Sequence, residues 1–289
     1  MIDTAGFLGL LRREGDRLAA MPADALGAPV PTVEGWTLER VVRHVGKVHR
    51  WVVAAVEAGP DGAAGHDGGL APLEPLPKGP ACLDAYAEAL DAVVAALAAR
   101  DPAEPAWTFR GPGDVAFWAR RQAHEVAVHR IDAADAVAAA GGAAPDPLDP
   151  TGAADGLDEL LDVFVRPHWR SRGEPPPERL RGTYRFRPTD VDTDAARRLV
   201  IAGAVTVAPD GARHRAGTGA SDAGQRSGAG PEEASTGAPD ERPSDGRHVV
   251  ATGSAEALLL ALWRRRPLDA LAVDGDADLL AALVHTVRI

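Results

Sequence analysis

The sequence predicts a two-domain protein in which an all-α four-helix bundle is followed by an α+β domain. Its 289 residues exceed one typical compact core and suit two domains of ordinary size. Helical apolar spacing fills the first 145 residues, whereas β-branched and aromatic segments alternate with short helical ones beyond residue 150. The proline- and aspartate-rich stretch 145–150 reads as the hinge. We therefore expect domains at 1–145 and 146–289.

Four helices are predicted in the first domain. Thr37 is a candidate N-cap for the second helix, and Gly141 with Gly142 ends the fourth. Glycine, proline and aspartate between residues 59 and 80 indicate a loop. The expected helices cover 4–20, 37–59, 82–100 and 115–140. Helix bundles commonly build their sites from inward side chains on facing helices, so the interior of this domain is where a site is expected.

The second domain mixes helices and strands around an insertion. Residues 209–247 are almost purely Gly, Ala, Ser, Pro, Asp, Glu and Arg, which cannot bury enough apolar surface to offset the entropy of ordering. We interpret them as a disordered insertion between two strands. The expected strands are 183–186, 199–207, 248–252 and 271–273, and the expected helices are 151–165, 254–263 and a last one from Asp276.

Composition and charge exclude several classes of function. A net charge of −11 and a pI of about 5.3 argue against binding nucleic acid through its phosphates. No apolar run is long enough to span a membrane, and the N-terminus is amphipathic and acidic where an export signal would be basic and then apolar. The single cysteine, Cys82, excludes an intramolecular disulfide. We expect a cytoplasmic protein with small-molecule partners, and the oligomeric state stays open.

Glu125 and His129 are the most informative residues in the predicted fourth helix. Four residues apart, they lie on one helix face about a turn from each other, close enough to hold one ion. His44 shares the inward apolar stripe of the second helix. Two histidine nitrogens and one carboxylate leave a coordination position open, as in catalytic zinc sites, although nickel, iron or manganese accept the same ligands. The alternative is a solvated acid and base pair on a polar helix face.

Residues beside these three are interpreted more plainly. His124 points about 100° around the helix from Glu125 and is expected on its flank. His49 is expected on the flank of the second helix near Lys47. Asp132 either accepts the free ring N–H of a ligand histidine or forms a surface salt bridge. We expect two tryptophans, Trp36 and Trp118, to be core aromatics.

Two groups of segments resemble a known family. In the first half they are Gly35-Trp36-Thr37, Val41 to Val45 and Arg121 to Ala133, and in the second Ala251 to Ser254, Leu259 to Asp269 and Val273 to Asp276. The first half is similar to the maleylpyruvate isomerase family of mycothiol-dependent enzymes, within the DinB-like superfamily. The second resembles that family's sterol-carrier-like domain. The resemblance implies a divalent metal, most simply Zn²⁺, held by His44, Glu125 and His129.

The resemblance also implies chemistry that the composition does not show. The cofactor is mycothiol, a low-molecular-weight thiol whose metal-favoured thiolate attacks a small electrophile. The outcome is cis–trans isomerisation, or S-transfer when the adduct is kept. Arg265 is the residue implied to hold a substrate carboxylate in the interdomain cleft, whereas the arginines 264–266 also suit a helix C-terminus without further role. A non-enzymatic module that binds a metal or a small ligand is the alternative function.

Overall fold

The structure is a computed structural model that describes residues 2–60, 74–210 and 246–287. Most of the predicted insertion at 209–247 therefore lies outside the described residues, as does much of the loop predicted at 59–80. The predicted fold class is confirmed, since a helical first part is followed by a part that contains a β-sheet.

Four long helices occupy the first part at nearly the predicted bounds. The side chains of Asp3, Thr37 and Asp114 each accept a backbone N–H in the first turn of a helix, which explains why three of these helices begin where they do. The four are α1 (Thr4–Ala19), α2 (Leu38–Ala58), α3 (Ala81–Ala98) and α4 (Val115–Ala139).

These helices pack around one apolar core. Helix α1 contacts α3 and α4, and α2 contacts the same two helices, so each element buries a stripe against two neighbours. Fully buried residues include Leu11, Val45, Tyr86 and Trp118. Cys82 is buried in α3, as expected of a small apolar residue.

A short hairpin precedes α4 and was not predicted. Strands β1 (Pro105–Thr108) and β2 (Gly111–Asp114) pair antiparallel around a turn at Phe109. Their Pro and Gly content resembles a loop in the sequence. The hairpin packs Trp107 edge-to-face on Trp51 and accepts the indole N–H of Trp118 at its backbone, which covers this end of the helical core.

The second part has a five-stranded sheet in the order β5-β4-β3-β6-β7, parallel only between β3 and β6. One expectation was wrong: residues 199–207 were predicted as one strand, but the chain reverses at Gly203 and forms two strands of a hairpin. The predicted helix at 151–165 is α-helical only to Glu159 and continues as a π-helix, Leu160–Val165. The strands are β3 (Gly182–Pro188), β4 (Arg197–Ile201), β5 (Val205–Pro209), β6 (His248–Gly253) and β7 (Ala272–Gly275).

Helices cover one face of this sheet. Alternate residues such as Tyr184, Phe186 and Val249 are buried against α6 (Ala255–Leu262) and α7 (Ala277–Thr286). Helix α5 (Pro150–Glu159) packs against α6. No helix in the described ranges combines the length and apolarity that crossing a bilayer requires.

Helix α4 lies between the two parts of the chain. One side of it belongs to the first core, and Val128 and Ile131 on another side join a separate apolar cluster with α5 and α6 residues such as Ala153 and Leu259. Side chains of α4 therefore contact residues of both parts of the chain. The division at 145 and 146 stays a prediction.

Candidate metal centre

His44, Glu125 and His129 come together where α2 faces α4. Oε1 of Glu125 lies 3.2 Å from Nε2 of His44 and 3.3 Å from Nε2 of His129. One donor atom from each residue fits within 4.8 Å of the other two, a spacing that can hold a metal ion. The His129 side chain is 12% exposed and that of His44 38% exposed, so the group is open on the His44 side.

Asp132 orients His129 from the next turn of α4. Its Oδ2 lies 3.0 Å from Nδ1 of His129, and the Asp132 side chain is fully buried. This contact places a ring proton on Nδ1 and directs Nε2 toward Glu125. Of the two interpretations of Asp132, the structure shows the contact with His129, a candidate ligand, since a buried carboxylate does not form a surface salt bridge.

Arg265 reaches this carboxylate from the second part of the chain. Its Nε and Nη2 donate to the two oxygens of Asp132 at 3.0 and 2.9 Å, and its Nη1 donates to the Trp263 carbonyl at 2.9 Å. Arg266 forms a similar forked pair with Asp135. Both arginines thus pair with acids on α4, and interpreting them only as cations at a helix C-terminus was wrong.

Arg121 is a residue that sequence reasoning missed. Its Nη2 donates to Oε2 of Glu125 at 2.9 Å, its Nη1 pairs with Oε2 of Glu159 at 2.5 Å, and its guanidinium lies 5.1 Å from the ring centre of Phe164. The signal available in the sequence was its position four residues before Glu125 on the same helix. Glu159 and Phe164 could not be found from spacing, because they belong to the other part of the chain.

The surrounding charges shift the pKa values of Glu125, His129 and Asp132. Burial alone would raise the pKa of Glu125, but His129, His44 and Arg121 outweigh it and hold that pKa well below its usual range. Burial alone would lower the pKa of His129, yet Glu125 and Asp132 raise it to about 9. The pKa of Asp132 is lowered, since His129 and Arg265 outweigh its burial. The pocket therefore favours a positive charge.

The donor chemistry fits a divalent metal. When its single proton is on Nδ1, His129 presents the Nε2 lone pair to a carboxylate oxygen at 3.3 Å, an arrangement that a positive charge between the two atoms stabilises. A proton can supply that charge, and so can Zn²⁺, whose ligand sets include two histidines and one carboxylate.

Trp36 packs against the helical core, as expected, and also lines the candidate metal centre. Its ring stacks on His129 with 5.8 Å between ring centres and meets His44 edge-on at 5.0 Å. The residue is partly exposed, so it forms a wall of the opening. Trp118 is buried in the helical core, as expected.

The neighbouring histidines lie outside the group. His124 is buried and its Nε2 lies 2.8 Å from Oδ1 of Asp155. His49 is fully buried, with Nδ1 2.7 Å from Oε1 of Gln122, so the expectation of a flanking position near Lys47 was wrong. The apolar residues Val45 and Val52, each about one turn away, were the sequence signal for this burial, and α3 supplies Tyr86 on that side.

The chain is similar to known proteins in part of its sequence and in its fold. A family model described as the mycothiol maleylpyruvate isomerase N-terminal domain matches residues 8–134, the segment that holds all three candidate ligands. Two solved structures, the mycothiol-dependent maleylpyruvate isomerase and a histidine-to-alanine mutant of it, each match with a TM-score of 0.54 and 12% identity over 94% of this chain and 92% of theirs. At this identity they show the fold. A search of curated proteins found no match. Residues 8–134 thus match the mycothiol maleylpyruvate isomerase N-terminal domain family.

Proposed function

We propose that this chain is a metal- and mycothiol-dependent enzyme that acts on a small electrophile. The observation that carries the proposal is the convergence of His44, Glu125 and His129 within 4.8 Å, inside the segment that matches the family model. Zn²⁺ is the proposed metal, because two histidines, one carboxylate and an open position form a catalytic zinc arrangement. When bound, such a metal favours the thiolate of a coordinating thiol.

The protein's own side chains would prepare the site. Asp132 fixes the tautomer and orientation of His129, and the stacked ring of Trp36 limits access of water on one side. The opening beside His44 is the side from which a thiol can approach, since His44 is the most exposed of the three. We further propose that this chemistry occurs in the cytoplasm, where thiols stay reduced.

Arg265 is the residue proposed to hold a substrate carboxylate. A guanidinium has five N–H donors, and Arg265 uses three of them on Asp132 and the Trp263 carbonyl. The remaining two belong to Nη1 and Nη2, which lie side by side and match the two oxygens of a carboxylate. The same guanidinium can thus orient Asp132 and bind substrate, and we propose that the site lies between the domains proposed at 1–145 and 146–289.

Two reaction outcomes follow from the same first step. The thiolate sulfur forms a C–S bond to a double bond conjugated with a carbonyl, and the electron pair moves onto the carbonyl oxygen. Rotation about the new single bond, return of the electron pair and loss of the thiolate give the geometric isomer. Protonation of the carbon instead keeps the adduct and gives an S-transfer product.

Metal content and thiol-dependent turnover test the proposal. The purified chain, reconstituted with zinc, is expected to hold about one zinc per chain by elemental analysis, and His44→Ala, Glu125→Ala and His129→Ala are expected to lose it. Mycothiol with maleylpyruvate and related electrophiles should then give turnover only in the wild type. Zinc without turnover on any electrophile would favour the binding module, and no stoichiometric zinc in a folded wild type would contradict the metalloenzyme.

A further inference from the structure

The two carboxylate oxygens of Glu125 have different partners. Oε1 faces the ring nitrogens of His44 and His129 at 3.2 and 3.3 Å. Oε2 accepts a hydrogen bond from Nη2 of Arg121 at 2.9 Å. In the part of the chain that the structure describes, Oε1 therefore has no arginine partner, and the position of Arg121 decides how Glu125 faces the two histidines.

Arg121 is held in turn by an acid from the second part of the chain. Glu159, the last residue of α5, accepts from Nη1 of Arg121 at 2.5 Å, and the two side chains are 3% and 5% exposed. The helix widens into its π-helical segment directly after Glu159, and Phe164 in that segment packs its ring on the guanidinium. Segments of π-helix frequently occur at functional sites.

This arrangement balances charge beside the candidate metal centre. Among the described residues, Arg121 has two acidic partners, Glu125 and Glu159. Without Glu159, a buried cation would be left with the ligand carboxylate as its remaining partner. It would then take both oxygens of Glu125 in a forked pair and repel a divalent ion.

We propose that Glu159 and Arg121 are positioning residues for the ligand Glu125. Glu159 holds one end of the guanidinium, so Arg121 fixes Oε2 of Glu125 through a single N–H and leaves Oε1 to the ion. The second part of the chain thereby contributes to metal affinity although it supplies none of the three ligands. This inference rests on the proposed metal site.

Zinc affinity of the metal-free full-length chain is the first readout, measured by competition with a chromophoric chelator. Glu159→Gln is expected to bind zinc about 10- to 100-fold more weakly than the wild type, the range found when a partner of a metal ligand is removed. Asp158→Asn is the matched control. This variant makes the same acid-to-amide change one residue earlier on α5, where Asp158 pairs with Arg120 and Arg197. The zinc affinity of Asp158→Asn should equal that of the wild type.

A second variant separates charge balance from simple structural damage. Arg121→Gln combined with Glu159→Gln removes the unpaired cation, so this double variant should bind zinc more tightly than Glu159→Gln alone. Damage to packing would instead make the double variant as weak as the single one or weaker. If Glu159→Gln fails to fold by circular dichroism, Glu159→Asp replaces it, with an expected loss of about threefold because the shorter acid keeps its charge but retreats from Arg121.

The outcomes distinguish the two proposals. A folded wild type that binds no zinc overturns the proposed function and this inference together. A wild type that binds zinc, with Glu159→Gln equal to Asp158→Asn, overturns only the inference. Weaker binding by Glu159→Gln, with recovery in the double variant, supports both.

Discussion

Helix α4 carries two histidine and carboxylate clusters whose surroundings differ. In the first, Glu125 meets His44 and His129. In the second, His124 meets Asp155, which also accepts from Nε of Arg120 at 2.6 Å. The first cluster brings two imidazoles onto one carboxylate oxygen, whereas the second joins one imidazole and an arginine to an acid, with Arg197 and Asp158 extending the network.

The difference teaches that residue types alone do not make a metal site. The second cluster borders a cleft of about 930 Å³, so it has space for a ligand. Its carboxylate, however, already pairs with Arg120 and contacts His124, and a cation would have to displace Arg120. In the first cluster the Nε2 atoms of two histidines converge on one carboxylate oxygen, where a proton or a divalent ion can supply the positive charge that joins them.

The largest expected effect comes from removing a histidine in each cluster. His129→Ala should weaken zinc binding by at least about 1,000-fold, because it deletes a nitrogen ligand and leaves Asp132 without its ring partner. His124→Ala, the matched change on the same helix, should leave zinc affinity unchanged. Equal losses in both variants, with both folded, would falsify the distinction between the clusters. The measurement is zinc competition on the metal-free protein.

The sequence could predict the three candidate ligands of the first cluster, but spacing along the chain could not predict the residues that surround them. Spacing of four residues identifies Glu125 and His129 as neighbours, and an inward apolar stripe identifies the side of His44. Each of these two inferences uses only the residue pattern within a single helix. The partners Arg265 and Glu159 lie on distant segments, so only tertiary packing brings them to α4, and spacing holds no information about their distance.

The fold shows the same division between local and non-local information. Capping residues such as Thr37 and Ser254 mark the start of a helix through a hydrogen bond to a residue three positions ahead. Because this signal is local in the sequence, the helices were predicted well. The hairpin at 105–114 was missed because its strands are short and rich in Pro and Gly. The prediction of a single strand at 199–207 was wrong. A glycine such as Gly203 can occur within a strand, so the sequence did not mark the turn. The turn is set by the antiparallel pairing of the segments on either side of Gly203.

A third histidine, His49, sharpens the comparison through pH. Burial is the main cause that lowers its pKa to about 4, against the raising effects of Gln122 and Glu125. Because the folded pKa lies below the unfolded value of about 6.5, the folded state excludes a proton that the unfolded state binds. The contribution of His49 to the free energy of unfolding is therefore fully present above about pH 6.5. It decreases by about 3 kcal/mol in total as the pH falls toward 4.

Urea unfolding at pH 7.5 and pH 4.5 measures this effect. His49→Gln should unfold more easily at pH 7.5 but lose about 2 to 3 kcal/mol less than the wild type on acidification, since no buried imidazole remains to be protonated. His285→Gln, a change at an exposed histidine, should show the same acid loss as the wild type. If His49→Gln instead loses as much unfolding free energy between pH 7.5 and pH 4.5 as the wild type, protonation of His49 does not cause the loss of stability in acid.

Asp132→Asn tests the orienting carboxylate with a smaller effect. The amide keeps the shape but loses the charge shared with His129 and Arg265, so zinc affinity should fall about 10- to 100-fold. Asp155→Asn is the matched change beside His124 and should not alter zinc affinity. A loss of stability without any loss of zinc affinity in Asp132→Asn would show that Asp132 supports packing of the two parts and not the ligand.

The smallest effect is expected from the second cluster itself. Asp155→Asn removes the acid shared by Arg120 and His124, whose side chains are 26% and 6% exposed. Since Arg120 retains Asp158 at 3.6 Å, only part of the interaction is lost, and the free energy of unfolding should fall by about 1 kcal/mol. Urea unfolding measures the change, with Asp91→Asn, an exposed acid paired with Arg12, as the control expected to change by less. A loss above about 3 kcal/mol would mean that the network behaves as a buried ion pair and holds the two parts of the chain together.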